Sequence, residues 1–363
     1  MEKVLISLFI IFVLVVTLYA CMGGNTCKHD DPTQNVVCEA KDPTCQEPGA
    51  TEGIKCNLCG KMVIPQIAIE PLGCTPGEWI IDKESSKTED GLRHTECTVC
   101  GLRIDEVIYA GSTGLMYRVE ADGKTCTIIG IGTCTDIEIV IPTHIDGYEV
   151  VRIGGSAFDS CEAITTVSLP NTVKSVGEAA FVRCSSLTSI NVAGDNEYLQ
   201  SIDGSLYTKD GKTLVWYAKG NQDKSFKIPD HVETITGWAF YGCTTLENIT
   251  IPSSVTNIPR YAFRECASLT TIYIPDSVTS IDNRAFSYCS SLTTINIPSS
   301  VTRIGEKAFG SCANLEKIYF DGTVAQWIEV VKEEHWNDNA MAYTIYCSNG
   351  EIARDGTVTY YGE

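Results

Sequence analysis

Histidine is scarce in this 363-residue chain: there are five, at positions 29, 94, 144, 231 and 335. None sits in an H-E-x-x-H pair, and the chain has no G-x-S-x-G and no Gly-rich loop of the phosphate-cradling kind. The sequence marks of a metalloprotease, a serine hydrolase and a nucleotide-binding site are therefore missing, and no enzymatic activity is expected. Basic residues are few as well, 27 against 46 acidic ones, for a formal net charge of −19. That balance argues against nucleic acid and anionic membrane surfaces as partners and suits a long, soluble, monomeric surface. Unbroken apolar runs are rare. The prominent one, Val4 to Leu18, is interrupted only by Ser7 and Thr17. It is short for a membrane span and of the right length for a signal-peptide core.

Residues 1–20 accordingly read as a signal peptide, which puts the bulk of the chain outside the cytoplasm and makes an N-terminal anchor the only membrane contact. Leu18-Tyr19-Ala20-Cys21 is similar to the bacterial lipobox, with Tyr19 as its departure from the small residue usual there. Lipidation at Cys21 would hold the protein on a membrane; plain cleavage and an uncleaved anchor are the alternatives. Residues 21–26 then form a short tether.

Cysteine, by contrast, is abundant, with eighteen residues, nine of them between 21 and 100. Within a Cys-rich region spanning 27–110, Cys56-Asn57-Leu58-Cys59-Gly60 and Cys97-Thr98-Val99-Cys100-Gly101 look like two copies of one small module. A C-x-x-C-G knuckle turns both thiolates toward one point, so Cys56, Cys59, Cys97 and Cys100 are candidate ligands of one structural zinc ion. The eight Cys of this region other than Cys21 are also an even number, as disulfides require. Zinc and disulfides both remain open. Either would staple a domain too small for a good core.

Six further Cys fall in a periodic row. Through Leu246 to Cys312 the chain repeats at one fixed interval: Pro229, Pro252, Pro275 and Pro298, then Phe240, Phe263, Phe286 and Phe309, then Cys243, Cys266, Cys289 and Cys312. A constant period of about 23 residues predicts a solenoid whose coils bury their apolar faces only by stacking. In Leu269-Thr-Thr-Ile-Tyr-Ile-Pro275, Ile272 and Ile274 alternate with Thr271 and Tyr273 as a strand with one buried side. Pro275 ends it, Val278 and Ile281 turn back beneath it, and Ala285-Phe286 closes the coil. The Cys row is expected to be free, buried thiols, with neither metal nor catalysis.

This unit, L-x-x-I-x-I-P-x-x-V-x-x-I-x-x-x-A-F-x-x-C, resembles the BspA-type leucine-rich repeat of bacterial surface proteins. The resemblance implies a leucine-rich repeat solenoid of parallel β-strands over 111–320, preceded by the small Cys-rich module. It also implies a hairpin insert, placed near 199–220 by Lys209-Asp210-Gly211-Lys212 between two apolar runs. Tyr207, Trp216 and Tyr217 of the insert either grip a ligand or pack it onto the solenoid. Residues 321–363 read as a C-terminal cap. There Val324, Trp327, Ile328 and Val331 share one helical face, and Thr323 and Gln326 have capping-box spacing.

The strand alternation sets out two outward rows. One contains Asn248, Thr271, Thr294 and Lys317, the other Thr250, Tyr273, Asn296 and Tyr319. Largely neutral and rich in hydroxyls and amides, these rows suit hydrogen bonding to protein backbone or glycans. The resemblance implies a surface-displayed binding or adhesion protein. The alternative is an envelope scaffold or spacer with no ligand of its own, in which Thr and Asn serve strand propensity and solubility alone.

Overall fold

The computed structural model describes residues 35–56, 62–218, 223–340 and 343–362. They divide into two compact units: the described residues up to 80 together with 93–106, and residues 81–92 together with those from 107 onward. The predicted signal peptide, Cys21 and the tether lie outside the described residues.

The second unit is the solenoid, and one coil explains the others. Thr271–Tyr273 is a strand whose Ile272 is buried while Thr271 and Tyr273 are exposed. Pro275 ends the strand, and its carbonyl accepts the N–H of Val278 to close a turn. The neighbouring Ser277 hydroxyl donates to the carbonyl of Val255, one coil back. Ser280–Ile281 then forms a short strand on a second side of the coil. Both sides stack in parallel. Ser225–Lys227, Asn248–Thr250, Thr271–Tyr273, Thr294–Ile297 and Lys317–Phe320 run side by side in one sheet. Asn257–Ile258, Ser280–Ile281, Arg303–Ile304 and Val331–Lys332 form the other.

The third side carries the Ala-Phe pair and Cys. Two sharp corners per coil need left-handed backbone, just before Ala and just before Cys: Arg284 has φ 57° and Tyr288 has φ 63°. Such residues are strained unless neighbours hold them. Here the next coil does so, because Arg284 N–H donates to Glu306 and Tyr288 N–H to Gly310. Between the corners, Phe240, Phe263, Phe286 and Phe309 are fully buried and stack ring on ring at 5.1, 5.3 and 5.4 Å. The Cys row consists of free thiols, as expected. Each points back under the stack: Cys266, Cys289 and Cys312 donate to the carbonyls of Phe240, Phe263 and Phe286 at 3.2, 3.2 and 3.1 Å. The thiol is a weak donor at a buried corner, adding a second bond to a carbonyl that already accepts the backbone N–H three residues further on.

The hairpin insert is more than an interruption. Leu199–Ile202, Ser205–Thr208 and Thr213–Trp216 form an antiparallel meander. Its first strand has no counterpart in the sequence expectation. Asn196 pins its entry: fully buried, it donates to the Pro170 and Val173 carbonyls and accepts the N–H groups of Tyr198 and Leu199. Tyr207, Trp216 and Tyr217 are all buried, so of the two roles open to them packing is the one observed. Trp216 meets the end of one ring stack, edge-on to Phe181 at 5.5 Å, and Tyr217 starts the next, stacked on Phe240 at 5.1 Å. Tyr217 N–H donates to Ala239, as Phe240 N–H donates to Ala262. Tyr217 precedes Phe240 by the same interval that separates Phe240 from Phe263, and so holds the Phe place of its own coil.

At the far end the capping box of Thr323 and Gln326 is present, but the helix is only Val324–Glu329. Trp327 and Val324 are buried, whereas Ile328 and Val331 are 64% and 61% exposed. The expectation that all four share one helical face is thus corrected, since Val331 lies beyond the helix. Val331–Lys332 leaves the helix to pair with Arg303–Ile304, and a strand rung replaces the next helical turn. Nor does the first sheet stop at 320: Thr344–Cys347 pairs in parallel with Lys317–Phe320, and Gly350–Ala353 and Val358–Tyr360 follow antiparallel.

Phe286→Ala should destabilise the solenoid by about 3–5 kcal/mol, measured by denaturant unfolding, because the cavity opens between two rings. Burial also holds the Cys266 and Cys289 thiols well above their ordinary range and pushes Cys312 up to about 12. An unfolded thiol ionises near about 8.5, so protonated thiols support the fold below that pH and the support is lost as pH rises through the folded values. Stability should fall between about pH 8.5 and 12, and iodoacetamide should label these thiols only after denaturation.

Candidate functional site

Two places gather the residues singled out by sequence. The first is the outward strand face. The ladder pairs Ser225, Asn248, Thr271, Thr294 and Lys317 in one row, and Lys227, Thr250, Tyr273, Asn296 and Tyr319 in the other. Adjacent members are thus one strand spacing apart, about 4.8 Å. Asn248, Thr250, Thr271, Tyr273, Lys317 and Tyr319 are exposed, and Thr294 and Asn296 are half-buried. Tyr273 is 56% exposed, which fixes the strand register, because Ile272 and Ile274 are both inside.

Sequence reasoning assigned Tyr346 to the cap. The ladder instead sets it beside Tyr319, with the rings stacked at 5.2 Å. The alternation of buried Ile345 and Cys347 around it was the available signal. The second row therefore carries two stacked tyrosines, with Tyr273 two strands away on one side and Glu351 next in the ladder on the other. Thr271 Oγ1 also donates to Asn248 Oδ1, a side-chain rung along the first row.

The second place lies in the Cys-rich unit. Cys97 and Cys100 do come together, but the structure brings them to Cys45 and Cys74. Cys56 ends the strand Gly53–Cys56, opposite Asn35 in register, and Cys59 lies outside the described residues. The sulfurs of Cys45, Cys74, Cys97 and Cys100 all lie within 4.8 Å of one another, with Cys45 to Cys97 at 3.8 Å and Cys74 to Cys100 at 3.9 Å. His94 is not in this cluster.

The 97–101 turn is closed by Cys97 N–H to Leu102 and by Gly101 N–H to Cys97. Gly101 has φ 70°, which glycine adopts without strain. Thr98 N–H to Thr75 ties the turn to the segment carrying Cys74. Backbone N–H groups of Cys100 and Val99 aimed at its sulfur bring the Cys97 thiol down to about 6. Burial, then hydrogen bonds to Cys100 and Cys97, push Cys45 up to about 12.

A stack of parallel-strand coils with a recurrent Leu, Ile, Pro, Phe and Cys frame is a leucine-rich repeat solenoid. The BspA type Leucine rich repeat region matches in six copies over residues 134–210 and 217–330, more than half of the chain, and the protein belongs to that family. Comparison with curated proteins finds no match.

Among solved structures, the pneumococcal vaccine antigen PcpA is 23% identical, over 50% of this chain and 44% of its own, with a TM-score of 0.46. A leucine rich cell surface protein of Faecalibacterium prausnitzii is 22% identical, over 63% of this chain and 97% of its own, with a TM-score of 0.35. A leucine-rich repeat protein of Eubacterium ventriosum is 21% identical, over 66% and 84%, with a TM-score of 0.41.

Because Tyr273 faces outward and is more than half exposed, Tyr273→Ala should change stability by less than about 0.5 kcal/mol in the same denaturant assay. A large loss would place its ring in the core and break the register of both rows.

Proposed function

We propose that the protein is displayed at the cell surface and captures an extracellular protein or glycan on its outward strand face. The observation that carries this reading is the second row, where exposed Tyr273 and Tyr319 and the stacked Tyr346 run with Thr250 and Asn296, and Glu351 lies next beyond Tyr346. Tyrosine offers large contact area at low entropic cost together with a hydroxyl handle, and it recurs among the anchors of binding surfaces. The flanking Asn248, Thr250, Thr271 and Asn296 can donate and accept, as the edges of sugars and peptide backbones demand.

Surface display rests on the apolar Val4–Leu18 run and on Cys21, and one similar solved structure is a leucine rich cell surface protein. Anchoring through a lipid on Cys21 completes the reading. The bare scaffold is the competing view; it predicts no ligand for the face.

Exported protein displayed on cells, or the purified chain on an array of extracellular proteins and glycans, tests the proposal. The tyrosine row should support capture. A Thr271→Glu, Tyr273→Ala, Tyr319→Ala chain should lose at least tenfold in affinity while unfolding at an unchanged midpoint. Undiminished capture by that chain, or no capture by the parent, would favour the scaffold. A fatty-acid analogue should label the parent and not Cys21→Ser.

A further inference from the structure

The described residues of the Cys-rich unit have almost no hydrophobic core. Val37, Ile64, Ile67 and Leu72 are exposed. The buried side chains are Cys45, Thr95 and Cys97, and the only other buried positions among the described residues of this unit are Gly49 and Gly53. The centre of this unit is a set of sulfurs, so whatever holds the sulfurs holds the unit.

We propose that Cys45, Cys74, Cys97 and Cys100 form a closed tetrahedral thiolate site for one structural zinc ion. Four sulfurs each about 2.3 Å from a central zinc lie about 3.8 Å from one another. The observed pairs at 3.8 and 3.9 Å match that edge, and every pair stays within 4.8 Å. Two disulfides would instead bring the sulfurs together two by two at about 2.05 Å. A mutual cluster of four is what a shared cation selects. The backbone donors around Cys97 suit a bound thiolate, since they orient the ligand and offset its charge. Binding would expel the thiol protons, so occupancy rises with pH.

A second observation separates Cys45 from its local fold. The turn that carries it is built twice. Thr44 N–H donates to Glu47 O, and Thr44 Oγ1 accepts the N–H groups of Gln46 and Glu47. Ser86 does the same with Glu89 and Thr88. Lys41 pairs with Glu47 as Lys83 pairs with Glu89. Where the first copy has Cys45, the second has Lys87. The turn therefore forms without cysteine, and the thiol at 45 serves the cluster.

The full exported chain, purified without chelator, tests this by metal analysis. Cys45→Ser, Cys74→Ser should contain about one zinc per chain fewer than the parent, with the solenoid's unfolding midpoint unchanged. Cobalt exchanged into the parent should show the intense visible bands of a tetrahedral thiolate complex, lost in that variant. An unchanged zinc content in the variant would overturn the site. So would peptide mapping of the parent that finds Cys45, Cys74, Cys97 or Cys100 in disulfides. The parent measurements stand even where the variant unit fails to fold.

Discussion

No coil of this protein can bury its own apolar side. Each coil is a thin ribbon whose Leu, Ile, Val and Phe meet cover only in the coils before and after it. The ring column is where that dependence is strongest. Phe240 to Phe309 stack nearly parallel, and Trp336 closes the column edge-on to Phe309 at 6.0 Å. The left-handed corners, the thiol-to-carbonyl bonds and the turn-closing prolines all follow from holding one large ring in the same place in every coil. The hairpin insert obeys the same demand. It supplies Trp216 to one stack and Tyr217 to the other, so two core clusters meet through adjacent residues.

The outward face is a by-product of that constraint. Once Ile272 and Ile274 are inside, Tyr273 and its row must be outside, and parallel stacking in register aligns like with like along the sheet. A solenoid thus presents any residue it repeats as a straight row. Capture on such a row requires only that the outward letters vary while the inward letters stay fixed.

Much of this was legible in the sequence because a long period repeats its own evidence. The strand register, the free Cys row and the capping box at Thr323 could all be read from spacing. Tyr217 was legible too, one repeat interval before Phe240, but the two extra strands of the insert hid the beat by setting Cys184 and Cys243 out of step with each other. Val331 and Ile328 misled because helical spacing over one turn does not reveal that a ladder rung waits at Arg303–Ile304. The thiol cluster was only half legible. Cys97 and Cys100 are close in sequence, but Cys45 and Cys74 join them through tertiary pairing that no spacing announces.

The account turns on the insert joining two ring stacks through the adjacent Trp216 and Tyr217, making the coils on either side one cooperative body. Amide hydrogen exchange on Tyr217→Ala measures this most directly. The account predicts lost protection in strands on both sides, at Ser189–Val192 as well as Asn248–Thr250. Exchange that rises only within residues 199–218, with both flanking sheets as protected as in the parent, would contradict it.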